Sequence, residues 1–230
     1  DDLFVLAENG WLTRGDPSVW FNGYLLDESR LFPGYRPGLM ASFWLNARLT
    51  VLDTASIRFG NLLLHLANGF LLFFLLRNLA KGSVSRTVIL ATALLFLIHP
   101  LQTLPVNFLW KRSSLLETTF LLLSLFLHAR ERGRERYRKR AVVWQAALFS
   151  AALSVKESAL LLPLLLGACD LIFFRPSVRK GSLRLFIPLV LLASAYAWFR
   201  FVHVDGWLAA HYRALPNPHK PNPATHNFTA

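Results

Sequence analysis

The sequence lacks the short motifs by which several large enzyme classes are recognised. It has no glycine-rich phosphate-binding loop, no Gly-x-Ser-x-Gly and no His-Glu-x-x-His, so it carries no sign of P-loop nucleotide hydrolysis, α/β-hydrolase chemistry or zinc proteolysis. No group of His, Cys and Asp residues has convincing metal-ligand spacing. A single cysteine, Cys169, excludes an intrachain disulfide.

Acidic residues are also scarce. The chain has 13 Asp and Glu against 25 Lys and Arg, which gives a formal net charge of +12. Such an excess can mark a nucleic-acid-binding protein, but no DNA- or RNA-binding motif accompanies it here. The basic residues instead cluster between apolar segments, as in the cytoplasmic loops of membrane proteins. We therefore expect membrane lipids, and no nucleic acid, among the partners.

Apolar residues dominate what is present. They make up 54% of the 230 residues, the mean hydropathy is +0.39, and several runs approach the roughly 20 residues that cross a bilayer. The composition predicts an all-α polytopic membrane protein with a bundle over 58–203. About six transmembrane helices are expected, at 58–78, 86–105, 113–129, 141–156, 157–174 and 185–203.

The segments on either side of this bundle have a different character. Residues 1–57 are too aromatic for disorder and too polar to span a membrane, which predicts a structured outer loop with amphipathic helices, the best candidate being 39–52. The Pro- and Asn-rich residues 204–230 predict an irregular tail on the same face. Because the chain starts at Asp1 without Met or an apolar leader, we expect an N-terminally truncated fragment whose first membrane helix precedes it.

Charge counting predicts the orientation of the bundle. Because successive spans cross the membrane in opposite directions, the short segments 77–86, 130–140 and 175–184 fall on the same side. They hold fourteen of the Lys and Arg residues, so this side is predicted to be cytoplasmic. The opposite, outer face then carries residues 1–57, the connection from His99 to Arg112, and the junction at Lys156.

Three cations lie on this outer face, although basic residues usually collect on the cytoplasmic side, and one acid lies with them. Lys111, Arg112, Lys156 and Glu157 lie at the outer ends of predicted spans. Single cations there can simply extend to lipid headgroups, but their convergence also predicts a polar cavity that binds an anion, and a guanidinium with an ammonium suits phosphate. Neighbouring residues on a helix do not face each other, so Lys156 and Glu157 each need another partner.

Other polar residues have two readings each. Asp1 and Asp2 begin the outer loop, where they are either ordinary solvated acids or a functional pair that accepts a proton or holds a divalent cation. His99, before Pro100, either ends a helix or orients a ligand. Asn61, His65 and Asn68 share one helix face, which we expect to pack inside the protein.

The order of short motifs resembles the GT-C superfamily of membrane glycosyltransferases. The nearest branch is that of the TMTC-type and PMT-like O-mannosyltransferases and their bacterial relatives. The matching residues are Asp1-Asp2, Tyr35-Arg36-Pro37, Asn61-Leu62-Leu63-Leu64-His65 with Asn68, Leu95 to Pro100, Trp110 to Leu116, Ser154 to Ala159 with Asp170, and Tyr196 to Arg200. The family often has an acid two positions after the arginine matched by Arg112, where this chain has Ser114, with Glu117 one turn further on.

The resemblance implies a GT-C-like helical bundle and an inverting glycosyl transfer. A polyprenyl-phosphate sugar would be the donor, and a hydroxyl, including Ser or Thr of a translocated protein, the acceptor. Asp2, or else Asp1, would be the catalytic base, and Arg112, Lys111 and Lys156 would bind the donor phosphate. His99, Glu157, Arg36 and Arg200 would support these groups. The resemblance does not establish a cofactor, and Asp1 and Asp2 could hold a divalent cation.

Two other functions fit the same composition. A multi-spanning transporter or flippase for an anionic or lipid-linked substrate would also use polar groups within the membrane and cations at its surface. A non-catalytic scaffold would use them to pack helices. The outer loop with its acidic pair favours the enzyme. The absence of tetratricopeptide repeats favours a bacterial inner membrane, with the endoplasmic reticulum membrane as the eukaryotic counterpart.

Overall fold

The computed structural model describes residues 36–50, 53–132, 138–174, 183–200 and 202, and every regular element in those ranges is a helix. The chain divides into two compact units, Asp1–Ala193 and Ser194–Ala230. In the second unit only residues 194–200 and 202 are described. The predicted all-α class is thereby confirmed for the described part.

Eight α-helices occupy the described ranges. They are α1 (Pro37–Leu49), α2 (Thr54–Ala80), α3 (Arg86–Ile98), α4 (Thr103–Asn107), α5 (Arg112–Arg132), α6 (Lys139–Val155), α7 (Leu162–Phe173) and α8 (Leu183–Phe199). Short 3₁₀ turns at Pro100–Gln102, Leu109–Lys111 and Glu157–Leu161 precede α4, α5 and α7.

Local sequence explains where several helices begin and end. The side chain of Asp53 accepts the backbone N–H of Ser56 at the start of α2, and Ser85 does the same for α3, as N-cap residues do. Helix α3 ends before His99, whose backbone is extended (ψ 132°) because the following proline disfavours a helical conformation. Lys156 is also extended (φ −158°, ψ 141°), so α6 stops there.

The polar face of α2 packs inside the protein, as predicted. Asn61 donates to the carbonyl of Val106 (3.2 Å), a ring nitrogen of His65 lies 3.0 Å from the carbonyl of Leu97, and Asn68 donates to the carbonyl of Leu115 (3.0 Å). All three side chains are buried. Each therefore ties α2 to a neighbouring segment instead of facing lipid.

Helices α5, α6 and α7 are joined by buried polar contacts at different levels. Gln145 of α6 donates to the Ser124 hydroxyl in the middle of α5. Further along α5, Asp170 of α7 accepts from Arg132 and lies 2.8 Å from a ring nitrogen of His128. Removing one member of such a buried charged group leaves an unpaired charge, so the group constrains how α7 sits on α5.

These contacts give the bundle two distinct ends. At the inner end, Lys81 lies over the ring of Phe174 (5.4 Å), and the backbone N–H of Arg138, just before α6, donates to Glu131 near the end of α5 (3.4 Å). At the outer end, α1 packs through Leu39, Met40 and Phe43 into a buried cluster with Ile57 and Leu109. Phe174 also packs against His128 of α5 (6.5 Å between ring centres), so the described residues of the predicted cytoplasmic segments 77–86 and 130–140 lie at the same end of the bundle.

By length and apolarity, α2 is one helix that could cross a membrane. A second candidate is the bent pair Arg86–Ile98 and Pro100–Asn107, with an angle of 48° between its parts. Helix α8 is apolar but shorter. The predicted number of about six spans, the outer loop of 1–57 and the tail of 204–230 stay predictions, and most residues of the loop and tail lie outside the described ranges.

The packing of α2 gives a stability prediction. Asn68→Leu should lower the free energy of unfolding by about 1–3 kcal/mol, because the buried Leu115 carbonyl and the half-buried Thr119 hydroxyl each lose a partner. Thr92→Val is the control, since the Thr92 hydroxyl is exposed and bonds only within its own helix. Denaturation of the detergent-solubilised protein measures both, and equal effects would contradict the role given to Asn68.

The orientation of the bundle can be tested by labelling. With Cys169 replaced by alanine, we expect Lys111→Cys to react with a membrane-impermeant maleimide from the outer side of sealed vesicles, and Arg86→Cys only after permeabilisation. Both positions are exposed, at opposite ends of the bundle. The reverse pattern, or equal labelling of both, would overturn the predicted orientation.

Candidate functional site

The buried guanidinium of Arg112 organises the outer end of the bundle. Its Nε donates to Oδ1 of Asn61 (2.7 Å), and its Nη2 donates to Oδ1 of Asn46 (2.8 Å) and to the carbonyl of Ile57 (3.0 Å). Its Nη1 donates to the carbonyl of Ser42 (3.3 Å). Only 2% of the residue is exposed, so one side chain holds α1, α2 and α5 together.

Two neighbouring residues, Phe43 and Gly60, accommodate this guanidinium. It lies over the ring of Phe43, 4.9 Å from the ring centre. A Cβ atom on Gly60 would come within 2.6 Å of Arg112 Nη2 and 2.8 Å of Asn46 Oδ1. The lack of a side chain at Gly60 therefore makes room for the hydrogen bonds.

The charge of Arg112 is held by neutral groups. Its four acceptors are two asparagine oxygens and two backbone carbonyls. It lies one residue before the predicted span 113–129, and burial lowers its pKa to about 10, so it stays protonated at neutral pH. The outer end of the bundle thereby retains a fixed positive charge.

The Lys156 junction brings a second cation to the same end. Lys156 Nζ lies 3.1 Å from Oε2 of Glu117 and 3.2 Å from Oγ of Ser114. The other carboxylate oxygen of Glu117 accepts from the Ser158 hydroxyl. Glu117 is nearly buried, whereas 32% of the Lys156 side chain is exposed, so the lysine is anchored by an acid and still partly accessible.

Glu157 points to a different partner. Its carboxylate accepts from Arg36 Nη2 at 3.1 Å, which ties the junction to the residue just before α1. Helices α1 and α6 approach closely here, since a Cβ on Gly38 would lie 2.3 Å from Ser154 Oγ. Lys156 and Glu157 thus each have a separate partner, as the sequence predicted.

The other predicted site residues are not tied to Arg112 or Lys156 by any contact described above. Lys111 is exposed, next to the buried Arg112. His99 is exposed, and its Nδ1 accepts the backbone N–H of Leu101 (3.2 Å), so in this structure it caps a short helix. Arg200 belongs to the second unit. Asp1 and Asp2 lie outside the described residues, and within the described ranges no three His, Cys, Asp or Glu side chains converge as metal ligands.

Sequence reasoning missed two partners at this site. Asn46 was read only as part of an amphipathic segment, although a polar residue near the middle of LMASFWLNARL could have been noticed. Ser158 gave no signal of its own. Glu117 stood out as the acid nearest to Arg112 along α5, but its partner is Lys156, which only the packing of the α6–α7 junction against α5 determines.

Comparison with known proteins confirms the resemblance found in the sequence. The chain is 26% identical over 223 residues to Protein O-mannosyl-transferase F38B6.6 of Caenorhabditis elegans, an alignment that covers 95% of this chain and 30% of that protein. It is 29% identical over 187 residues to Protein O-mannosyl-transferase Tmtc1 of Drosophila melanogaster, covering 79% of this chain and 21% of that protein. The chain is a distant homologue of TMTC-type protein O-mannosyltransferases.

The chain spans less than a third of the length of these relatives. No family model matches it, and no solved structure does. The homology therefore bears on the region that the chain shares with the two enzymes.

Arg112 and Lys111 make a matched pair for testing this geometry. Arg112→Met should destabilise the protein by about 3 kcal/mol or more, since four acceptors lose their donor and each buried acceptor left unpaired costs roughly 1–3 kcal/mol. Lys111→Met, at an exposed neighbouring position, should change stability by less than about 0.5 kcal/mol. Chemical denaturation in detergent compares them, and similar losses would refute a specific role for the buried guanidinium.

Proposed function

From the distant homology to TMTC-type protein O-mannosyltransferases, we propose that the chain is part of a GT-C-type glycosyltransferase with a bundle of about six membrane spans. It transfers a sugar, mannose by analogy with the relatives, from a polyprenyl-phosphate donor to a Ser or Thr hydroxyl of a protein on the outer face. The observation that carries the proposal is the match of 95% of this chain to a protein O-mannosyl-transferase.

The donor phosphate binds, in this proposal, at the Lys156 junction. Of the three predicted phosphate-binding cations, Lys156 is both anchored by an acid and partly exposed, and the exposed Lys111 can reach out to a second oxygen. Arg112 is only 2% exposed, and four of its five N–H groups already donate within the protein, so a phosphate has little access to it. We therefore assign Arg112 a positioning role, with its charge acting on the phosphate through space.

The chemistry is a single displacement at the anomeric carbon. The acceptor oxygen attacks this carbon from the face opposite the phosphate and loses its proton to Asp2, or to Asp1. The bond between the carbon and the phosphate oxygen breaks, and its electron pair leaves with the polyprenyl phosphate. Fixed cations that meet the growing phosphate charge lower the barrier by several kcal/mol.

The remaining predicted residues have supporting roles. The Arg36–Glu157 pair joins the segment before α1 to the junction and so sets the distance between the outer loop and the phosphate. His99 and Arg200 are proposed to orient the sugar or the acceptor. The same homology favours a transferase over a transporter or a scaffold. The membrane is the bacterial inner membrane or the endoplasmic reticulum membrane, and both named relatives are animal proteins.

The proposal is tested by sugar transfer in membranes that contain the full-length protein. With labelled polyprenyl-phosphate mannose and a Ser/Thr-containing acceptor peptide, Asp2→Asn should lower kcat about 100-fold or more, as expected for loss of a general base. Lys156→Gln should lower kcat/KM about ten- to hundredfold, the value of one charge-assisted hydrogen bond.

Lys139→Gln is the matched control, since Lys139 is an exposed lysine at the inner end of the bundle. Its activity should equal that of the unmodified protein. Lack of transfer by the unmodified protein with any polyprenyl-phosphate sugar would refute the function. Transfer that Lys156→Gln leaves unchanged would refute only the phosphate assignment.

A further inference from the structure

A cavity at the inner end of the bundle lies far along α5 from the proposed phosphate site. It has a volume of about 240 Å³ and lies where α5 ends and α6 begins. This is smaller than the roughly 300–1,000 Å³ of pockets that enclose drug-sized ligands. Its lining residues are Leu127, Arg130, Glu131, Arg138, Arg140, Ala141 and Trp144.

The charge of the lining is strongly positive. Three arginines, Arg130, Arg138 and Arg140, line it together with a single acid, Glu131. Glu131 is buried and accepts the backbone N–H of Arg138 at 3.4 Å. The three arginines are exposed, so their repulsion would be relieved by an anion in the cavity. Arginine forks suit the paired oxygens of a phosphate.

The other side of the cavity is apolar and continues along α6. Trp144 follows Arg140 by one helical turn, so both residues lie on the same face of the helix. The Trp144 side chain is 64% exposed and that of the adjacent Val143 is 67% exposed. A cationic end followed within one turn by an exposed aromatic surface matches the boundary between headgroups and hydrocarbon, where tryptophan is enriched.

We propose that this cavity binds the headgroup phosphate of an anionic phospholipid of the inner leaflet, with an acyl chain along Trp144. A soluble anion would use the arginines but would leave the apolar strip uncovered, whereas a phospholipid covers both. Residues 130–140 are predicted to be cytoplasmic, and anionic lipids of that leaflet attract basic segments. The proposal does not depend on the sugar-transfer chemistry.

The experiment measures which lipid lies next to Trp144. The full chain is reconstituted in vesicles of phosphatidylcholine with a minority of phosphatidylglycerol, and bromine, which quenches tryptophan fluorescence, is carried on the acyl chains of one lipid or the other. The chain has seven tryptophans, so the signal of Trp144 is the difference from Trp144→Phe. We expect brominated phosphatidylglycerol to quench Trp144 several-fold more than its share of the lipid predicts.

The doubly substituted chain Arg138→Gln, Arg140→Gln should reduce this quenching to the level of random mixing. Arg86→Gln, which removes an exposed arginine at the same end but outside the cavity, should leave it unchanged. Random mixing in the unmodified protein would overturn the proposal. So would an equal loss in Arg86→Gln, or abolition of the enrichment by inorganic phosphate at constant ionic strength, which would indicate a site for soluble anions.

Discussion

The outer end of this protein depends on one buried cation whose charge is held by neutral groups. Arg112 donates to two asparagine oxygens and two backbone carbonyls on α1 and α2. A buried guanidinium is costly unless its donors are satisfied, so these acceptors must keep their positions. This requirement explains the absence of a side chain at Gly60 and the polar residue at Asn46. It also fixes α1 against α2 and α5.

The Lys156 junction builds on that framework. Because the helix breaks at Lys156, this residue and Glu157 can point in different directions. Lys156 contacts Glu117 on α5, and Glu157 contacts Arg36 just before α1. Within each ion pair the positive and negative charges cancel, so the net positive charge nearby comes from Arg112 and Lys111. In the proposed transferase, Arg112 positions the site and Lys156 contacts the donor phosphate.

Polar groups hold the bundle together along its whole length. Asn61, His65 and Asn68 join α2 to its neighbours, Gln145 joins α6 to α5, and Asp170 joins α7 to α5. In a membrane, apolar side chains gain little by leaving lipid for protein, so hydrogen bonds and close packing specify which helices pair. Arg130, Arg138 and Arg140, by contrast, line a cavity where α5 ends and α6 begins.

The sequence alone determined the helical class, the positions of the apolar segments and the relationship to O-mannosyltransferases, because apolar run length and motif order are properties of the chain itself. It also required separate partners for Lys156 and Glu157, since neighbours on a chain point apart. Only the tertiary structure decided which partners they find, and that Arg112 is buried against acceptors on α1 and α2 while Lys156 stays partly exposed. Burial and hydrogen bonding between residues about 40 to 120 positions apart depend on how the helices pack, and no local pattern encodes that choice.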